Sequence, residues 1–345
     1  MITRKIDKDD PQAGFAYSWV EKTGEQVDQL KAICLEKGNT KDLPENIEVF
    51  SLGKENGKNK LKEFINFQKG AFKYIRQVDG VFCHMNPIYT ILIAPYAKLF
   101  GKRMASWYSH KQISWQLRLM TFLTDFVLTP ASDGFRLNSR KKRVVGHGIN
   151  TDLFKPGQKK ESSQLRLLAV GRISPIKNYE TLIEAARFLK EKGIDFVLNI
   201  VGEPGLESQK KYFQELKKIV QEKDLEKEVV FLGGVAQYDL VKMYQEADLS
   251  INLCPTGSPD KVVLESMACA CPALVCNRAF EKDFGPYTEK LIFEEKKSVD
   301  LGEKIINLKE EDLDKIGDFL RKKIVENHNL DKLISKIVNV FKKNS

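Results

Sequence analysis

The feature that most constrains this chain is a repeated alternation of short apolar, often β-branched runs with longer stretches of helical period. In the first 149 residues the short runs are KAICLE, IEVFSL, GVFCHM, RMASWY, DFVLTP and RVVGHG. Helical periodicity covers Phe15 to Glu21, Lys60 to Arg76, Ile88 to Leu99 and Ile113 to Leu123 between them. Strands that alternate with helices are joined by crossovers, and crossovers make a parallel sheet covered on both faces. The start fits least well. Met1-Ile2-Thr3 is too short for a central strand, and the pattern reads as though residues were missing before it.

From Asn150 to Gln164 the alternation breaks into a polar segment with Pro156 and Gly157, the composition of a hinge. It restarts with LRLLAVGR, FVLNIVG, EVVFLGG, LSINLC and PALVC as strands, and with helices over Asn178 to Lys192, Glu207 to Glu222, Gln237 to Glu246 and Val262 to Ala270. A chain of 345 residues exceeds what one core usually organises. The expected fold class is therefore α/β, with two Rossmann-like, doubly wound parallel-sheet domains at 1–149 and 150–329 and a last helix at 330–345. The tail from Val299 to Lys343 reads as wholly helical. Its final stripe of Leu330, Leu333, Ile334, Ile337, Val338 and Phe341 could be core packing or a segment that folds back on the first domain.

No apolar run approaches the roughly 18 to 20 residues that cross a bilayer, and the N-terminus lacks a signal-peptide pattern, so a cytoplasmic location is expected. The six cysteines sit mostly in apolar segments, where a thiol packs as a small hydrophobe. Cys269, Cys271 and Cys276 match no common zinc spacing and have no histidine near them, so no metal is expected. Net charge is +9, and all of the excess lies in the first half: residues 1–149 carry 24 Lys and Arg against 15 Asp and Glu, the remainder 32 of each. Such a surface attracts nucleic acid, anionic lipid or a phosphorylated substrate, or only aids solubility.

Ligands of an open parallel sheet sit beyond the carboxyl ends of its strands. GRISPIKN lies at such an end. Gly171 permits close backbone approach, Arg172 offers a planar fork for phosphate oxygens, and Lys177 adds a second cation. Together they could neutralise a diphosphate, or they could be a solvated turn. In PTGSPDKVVLESMACACP a loop runs into a helix beginning near Lys261 and Val262, whose free N–H groups form an anion site. Glu265, one turn in, can accept hydrogen bonds from a diol or simply suit the helix dipole.

The ordered segments GRISPIKNYETLIEA, NIVGEPG, VVFLGGV and DKVVLESMACACP together resemble the retaining glycosyltransferase family 4, which has the GT-B fold of two facing Rossmann-like domains. The likeness covers most of residues 100–343, including GHGINTDLFKP at the domain junction, and residues 1–99 loosely. It implies that Arg172 and Lys177 hold the donor diphosphate and support the leaving group without metal or other cofactor, and that Glu265 binds the nucleotide ribose. It implies further that Gly202 and Glu203 flank the nucleotide, that the turn at Gly233 lies near the base, that His110 faces the donor sugar at the reacting carbon, and that Gly14 belongs to a glycine loop beside the phosphates. One departure stands out. Eight positions before Glu265, where the family often has a second carboxylate, this chain has Gly257, so Asp260 or Lys261 is expected to help the loop backbone hold the sugar.

The implied reaction moves a sugar from a nucleoside-diphosphate sugar to an acceptor hydroxyl with retention of anomeric configuration. A basic first half suits a glycan or lipid-linked acceptor in cell-surface glycan or glycolipid synthesis, reached peripherally at the inner face of an anionic membrane. The alternatives are a catalytically impaired nucleotide-sugar-binding scaffold, for which Gly257 speaks, and a nucleotide-sugar epimerase. A phosphorylase would need a pyridoxal phosphate lysine in a longer chain. Nucleic acid is not an expected partner, because the basic residues lack interleaved aromatics and a recognisable binding motif.

Overall fold

The computed structural model describes residues 1–10, 13–57, 59–110, 112–159, 162–255 and 257–342. The chain forms two compact units, the first made of Met1–Asn150 with Asn329–Ser345 and the second of Thr151–His328.

Among the described residues the first unit has seven parallel strands: β1 (Ile2–Ile6), β2 (Leu30–Lys37), β3 (Ile47–Ser51), β4 (Gly80–His84), β5 (Arg103–Trp107), β6 (Phe126–Thr129) and β7 (Lys142–Val144). Their order is β3-β2-β1-β4-β5-β6-β7. The short opening run is thus a central strand after all, reaching Ile6 through Arg4 and Lys5. Lys5 is tolerated there because its ammonium meets Asp7, Asp10 and Glu36 at 3.0, 2.6 and 3.1 Å.

Period-two alternation sorts the strand side chains between two cores. Ile33, Val81, Cys83 and Met104 pack beneath the helices Lys60–Tyr74 and Pro87–Leu99. Ala32, Cys34, Phe82 and Ala105 face the opposite layer, formed by the helices Gly14–Gly24 and Leu330–Asn339. Trp19 anchors that second layer, stacked on Phe82 at 6.2 Å and edge-on to Trp107 at 4.8 Å. The terminal stripe of Leu330, Leu333, Ile334 and Ile337 is buried in the same core.

The tail, expected to be wholly helical with a last helix at 330–345, consists of three helices, Ser298–Lys309, Leu313–Asn327 and Leu330–Asn339. Two caps restart it. The Asp312 side chain accepts from the Lys315 N–H and the Asn329 side chain from the Lys332 N–H.

The second unit has β8 (Leu165–Val170), β9 (Phe196–Val201), β10 (Val229–Gly233), β11 (Leu249–Asn252) and β12 (Ala273–Val275), parallel and ordered β10-β9-β8-β11-β12 among the described residues. Strand order reverses between β8 and β11 here and between β1 and β4 in the first unit. Loops diverge at such a point and leave a crevice. The start of the polar segment read as a hinge belongs to this unit's packing. Phe154 is 1% exposed and lies edge-on to Tyr244, while Arg321 donates to the carbonyls of Phe154 (3.0 Å) and Thr151 (3.5 Å). Among the described residues no helix is long and apolar enough to cross a membrane.

The helix Leu313–Asn327 crosses close to the turn after the helix Lys261–Ala268, and a Cβ on Gly317 would lie 2.0 Å from the Ala270 carbonyl oxygen. Gly317→Ala should therefore destabilise the second unit by about 1–3 kcal/mol, the usual cost of overpacking, read as a lower urea midpoint at unchanged slope.

Candidate functional site

Three neighbouring strands of the second unit end in glycines with positive φ: Gly171 (157°), Gly202 (143°) and Gly233 (75°). Their loops are hydrogen-bonded in series, Gly171 N–H to Val201 O at 2.9 Å and Gly202 N–H to Gly233 O at 2.8 Å. The contact is closest at Gly202, where a Cβ would fall 1.9 Å from the Gly171 oxygen. Glu203 ties the loops together, its carbonyl accepting from Ile173 N–H (3.0 Å) and its carboxylate from Gly234 N–H (3.2 Å).

Lys177 ends a short 3-10 turn, Pro175–Lys177, and Asn178 then swings the chain through a left-handed conformation (φ 48°) into the helix Tyr179–Glu191. This turn sends the Lys177 side chain inward, where its ammonium pairs with the Asp260 carboxylate from the loop after β11. The pair spans the crevice between β8 and β11. Asp260 also accepts from Asn252 Nδ2 at 3.1 Å. Burial opposes both charges, yet their mutual attraction wins. Lys177 is held above the ordinary lysine range, with help from Cys254, and Asp260 below the ordinary carboxylate range. Arg172 is exposed on the same loop, and its Cδ lies 3.3 Å from where a Cβ on Gly205 would be. Tyr179 braces the loop from below by donating its hydroxyl to the Gly171 carbonyl at 2.9 Å.

On the other lip, the helix Lys261–Ala268 begins directly after Asp260. Glu265 is only 5% exposed; its carboxylate faces the Lys261 ammonium at 3.5 Å and accepts from Gln237 Nε2 at 3.4 Å. Burial raises the Glu265 carboxyl and lowers the Lys261 ammonium, each shift partly offset by the other charge. The Val262 carbonyl in the first turn accepts from the buried Tyr244 hydroxyl at 3.0 Å. Asn277 steadies the preceding loop, accepting from Gly257 N–H (3.3 Å) and donating to the Ser258 carbonyl (3.3 Å). Cys254 and Cys276 close the floor, with the Cys276 thiol 3.2 Å from the Cys254 carbonyl.

The other two candidates belong to the first unit. Gly14 is buried at the start of the helix that follows β1, beside that unit's own strand-order reversal, and its N–H donates to the Asp10 carbonyl at 2.9 Å. His110 is exposed in the loop after β5, its N–H donating to Gly134 O at 2.8 Å and its Nδ1 accepting from Gln112 N–H at 3.4 Å.

Residues 150–329 match the family model described as glycosyl transferases group 1. The chain belongs to this family. Among curated relatives it is 32% identical over 111 residues to mannosylfructose-phosphate synthase of Agrobacterium fabrum, covering 32% of this chain and 24% of that one. It is 29% identical over 148 residues to D-inositol 3-phosphate glycosyltransferase of Pseudarthrobacter chlorophenolicus, covering 42% and 30%. The chain thus spans less than a third of the curated relatives it matches. Solved structures show the fold at greater length. HepE of Anabaena, solved with UDP and glucose, superposes with a TM-score of 0.75 at 15% identity over 98% of both chains. A glycosyltransferase from Rickettsia africae gives 0.77 at 16% identity over 100% and 99%. Sucrose-phosphate synthase of Thermosynechococcus elongatus gives 0.73 at 16% identity over 99% and 98%. This group 1 protein has the GT-B fold, two Rossmann-like parallel-sheet domains.

Within the second unit, the crevice brings together Gly171, Lys177, Asp260, Lys261 and Glu265, with Arg172 on its rim. The Asp260 carboxylate, expected to help hold a sugar, is directed at Lys177 and accepts from Asn252. Four supporting residues escaped the sequence reading: Asn252, Tyr179, Gln237 and Asn277. The signal for Asn252 was visible, a polar residue inside the apolar strand LSINLC.

Asp260→Asn removes the counter-ion of Lys177 and should cost on the order of 2 kcal/mol, between the values for exposed and buried pairs. Asp260 titrates low when folded, so its contribution is present above the unfolded value near 4 and lost as pH falls through the folded one. Lys177 titrates high when folded, so its contribution is present below about 10 and lost as pH rises further. The wild-type advantage should therefore be flat between about pH 5 and 10 and shrink outside that window in denaturant titrations. Gly202→Ala should disrupt the stacked loops, and a melt measured with and without nucleotide should show a lower midpoint and a smaller nucleotide-induced rise.

Proposed function

We propose that this protein is a retaining glycosyltransferase of the family 4 type, moving a sugar from a nucleoside diphosphate to an acceptor hydroxyl. The observation that carries the reading is a half-buried lysine, Lys177, held at the strand-order reversal opposite the N-terminus of the helix Lys261–Ala268. Positive charge on one lip and a helix N-terminus, with its dipole, on the other suit a diphosphate. Arg172 at the rim adds a second cation.

In the step proposed, the bond between the anomeric carbon and the β-phosphate oxygen breaks and its electron pair leaves with the diphosphate. The acceptor oxygen bonds to the same face of the carbon, and its proton passes to the departing diphosphate. Lys177, Arg172 and the helix N-terminus stabilise the charge that grows on the leaving group, which is the role a divalent ion would otherwise fill. Glu265 takes the ribose hydroxyls, exchanging its contacts with Lys261 and Gln237 for them. Gly202, Glu203 and Gly233 border the nucleotide. His110 and Gly14 are assigned to the sugar and phosphate side on the strength of the family resemblance. The acceptor is a glycan or a lipid-linked molecule presented at an anionic membrane surface, a choice supported by the excess of cations in residues 1–149.

The rival reading is a nucleotide-sugar-binding protein without turnover, which Gly257 favours. A thermal-shift screen of UDP, GDP, ADP and their sugars tests donor binding. UDP is the first choice because HepE was solved with it, and a nucleotide at 100 times its Kd should stabilise the protein by about 2.7 kcal/mol. No shift with any nucleotide overturns the donor assignment. Turnover separates the rivals: Lys177→Ala should lower kcat by a factor on the order of a hundred or more, and an unchanged kcat removes Lys177 from the mechanism.

A further inference from the structure

The helix Lys60–Tyr74 of the first unit is apolar on its outer face as well as its inner one. Its inner face is short, with Phe67, Gly70, Ala71 and Tyr74 buried against the sheet. Its outer face carries large apolar side chains: Leu61, Ile65 and Phe72 are 69%, 45% and 60% exposed. At 100° per residue these three fall within about 40° of one another, so they form a single outward stripe about 16 Å long. A helix with one hydrophobic residue pointing at water by chance is common; three large ones on one outward face, interrupted only by Gln68, are not.

Cations flank the stripe. Lys62, Lys69 and Arg76 project along one side of it, and Glu63 is the helix's single acid. The patch continues past the helix end. Arg76 lies over the rings of both Phe72 (5.5 Å) and Phe100 (4.9 Å), and Lys98 lies over the exposed ring of Phe122 (5.4 Å). Aromatic and aliphatic groups under a canopy of Lys and Arg match the two halves of a bilayer surface, acyl boundary and anionic headgroup. A protein partner of ordinary composition would want carboxylates or a dry apolar face; here cations border aliphatic side chains at one end, Leu61 and Ile65, and rings at the other. It also lies within residues 1–149, which carry 24 Lys and Arg against 15 Asp and Glu.

We infer that the outer face of the helix Lys60–Tyr74 is a membrane-docking surface that inserts Leu61, Ile65 and Phe72 at the headgroup boundary of an anionic bilayer. The inference rests on the membrane-side acceptor proposed above for its choice of partner, and it names the surface that meets the lipid. Donor binding by the second unit is a separate property and is measured separately.

The test uses the full chain and flotation with phosphatidylcholine vesicles prepared with and without phosphatidylglycerol. Wild type should float with the anionic vesicles at low salt, and at least about tenfold less with the neutral ones. The variant Leu61→Ser/Ile65→Ser/Phe72→Ser should bind the anionic vesicles at least about tenfold more weakly, with its thermal midpoint kept because the three side chains already face solvent. Lys62→Gln/Lys69→Gln should lose the preference for anionic lipid. Leu232→Ser/Val299→Ser, which removes exposed apolar groups from the second unit, should float as wild type does. Wild type that floats with neither vesicle overturns the inference, as does a triple serine variant that floats equally well. A wild-type dimer in sedimentation that the triple variant splits would assign the face to a second copy and overturn it too. Flotation of a chain that shifts with no nucleotide would support this surface while removing the donor reading.

Discussion

The reversal of strand order between β8 and β11 is the constraint on which the site depends. Helices that leave adjacent strands in opposite directions cannot close over the gap between them, so the loop carrying Lys177 and the loop carrying Asp260 confront each other across it. Everything nearby serves to fix those two loops. Tyr179 and Asn178 set one, Asn252 and Asn277 set the other, and the stacked strand-end glycines let three turns approach within backbone hydrogen-bonding distance. A side chain at Gly202 would collide with the Gly171 carbonyl and push those two turns apart.

Two oppositely charged pairs lie side by side on this rim, and they are built differently. Lys177 and Asp260 come from distant loops, and their attraction outweighs the cost of burial for both. Lys261 and Glu265 come from one helix, a turn apart, and there burial outweighs attraction for both partners. The first pair is a fastening between elements. The second is a pair of groups at a looser 3.5 Å that an incoming ligand with hydroxyl or phosphate oxygens can separate without unfastening the loops.

Periodicity made most of the fold readable. The runs from KAICLE to PALVC all appear as strands, and the helices Glu207–Glu222 and Gln237–Glu246 begin and end where the apolar spacing does. Misreadings came where a long-range contact overrides local pattern. Lys5 in β1 is understandable only with Asp7, Asp10 and Glu36 around it, and Phe154 leaves a polar segment for the core because Tyr244 and Arg321 receive it. Within the site, residues with an evident chemistry were legible, such as Arg172, Lys177 and Glu265. The residues that aim them were less so: Gln237 and Asn277 are common side chains whose role appears only when loops and helices 20 to 28 positions apart meet.

The backbone bridge between Ile149 and Asn329, with the Leu330 N–H on the Ile149 carbonyl at 2.8 Å, has a consequence for biosynthesis. It joins the end of the first unit's continuous stretch to the start of its closing helix, so the second unit is an insertion between two neighbouring backbone positions. Residues 151–328 contain their whole core in one stretch of sequence, and that core can assemble once they emerge from the ribosome. The earlier-made unit has to wait. Trp19 and its neighbours lack Leu330, Leu333, Ile334 and Ile337 until the whole of the second unit has been synthesised, so the unit begun first is completed after the one inserted in it.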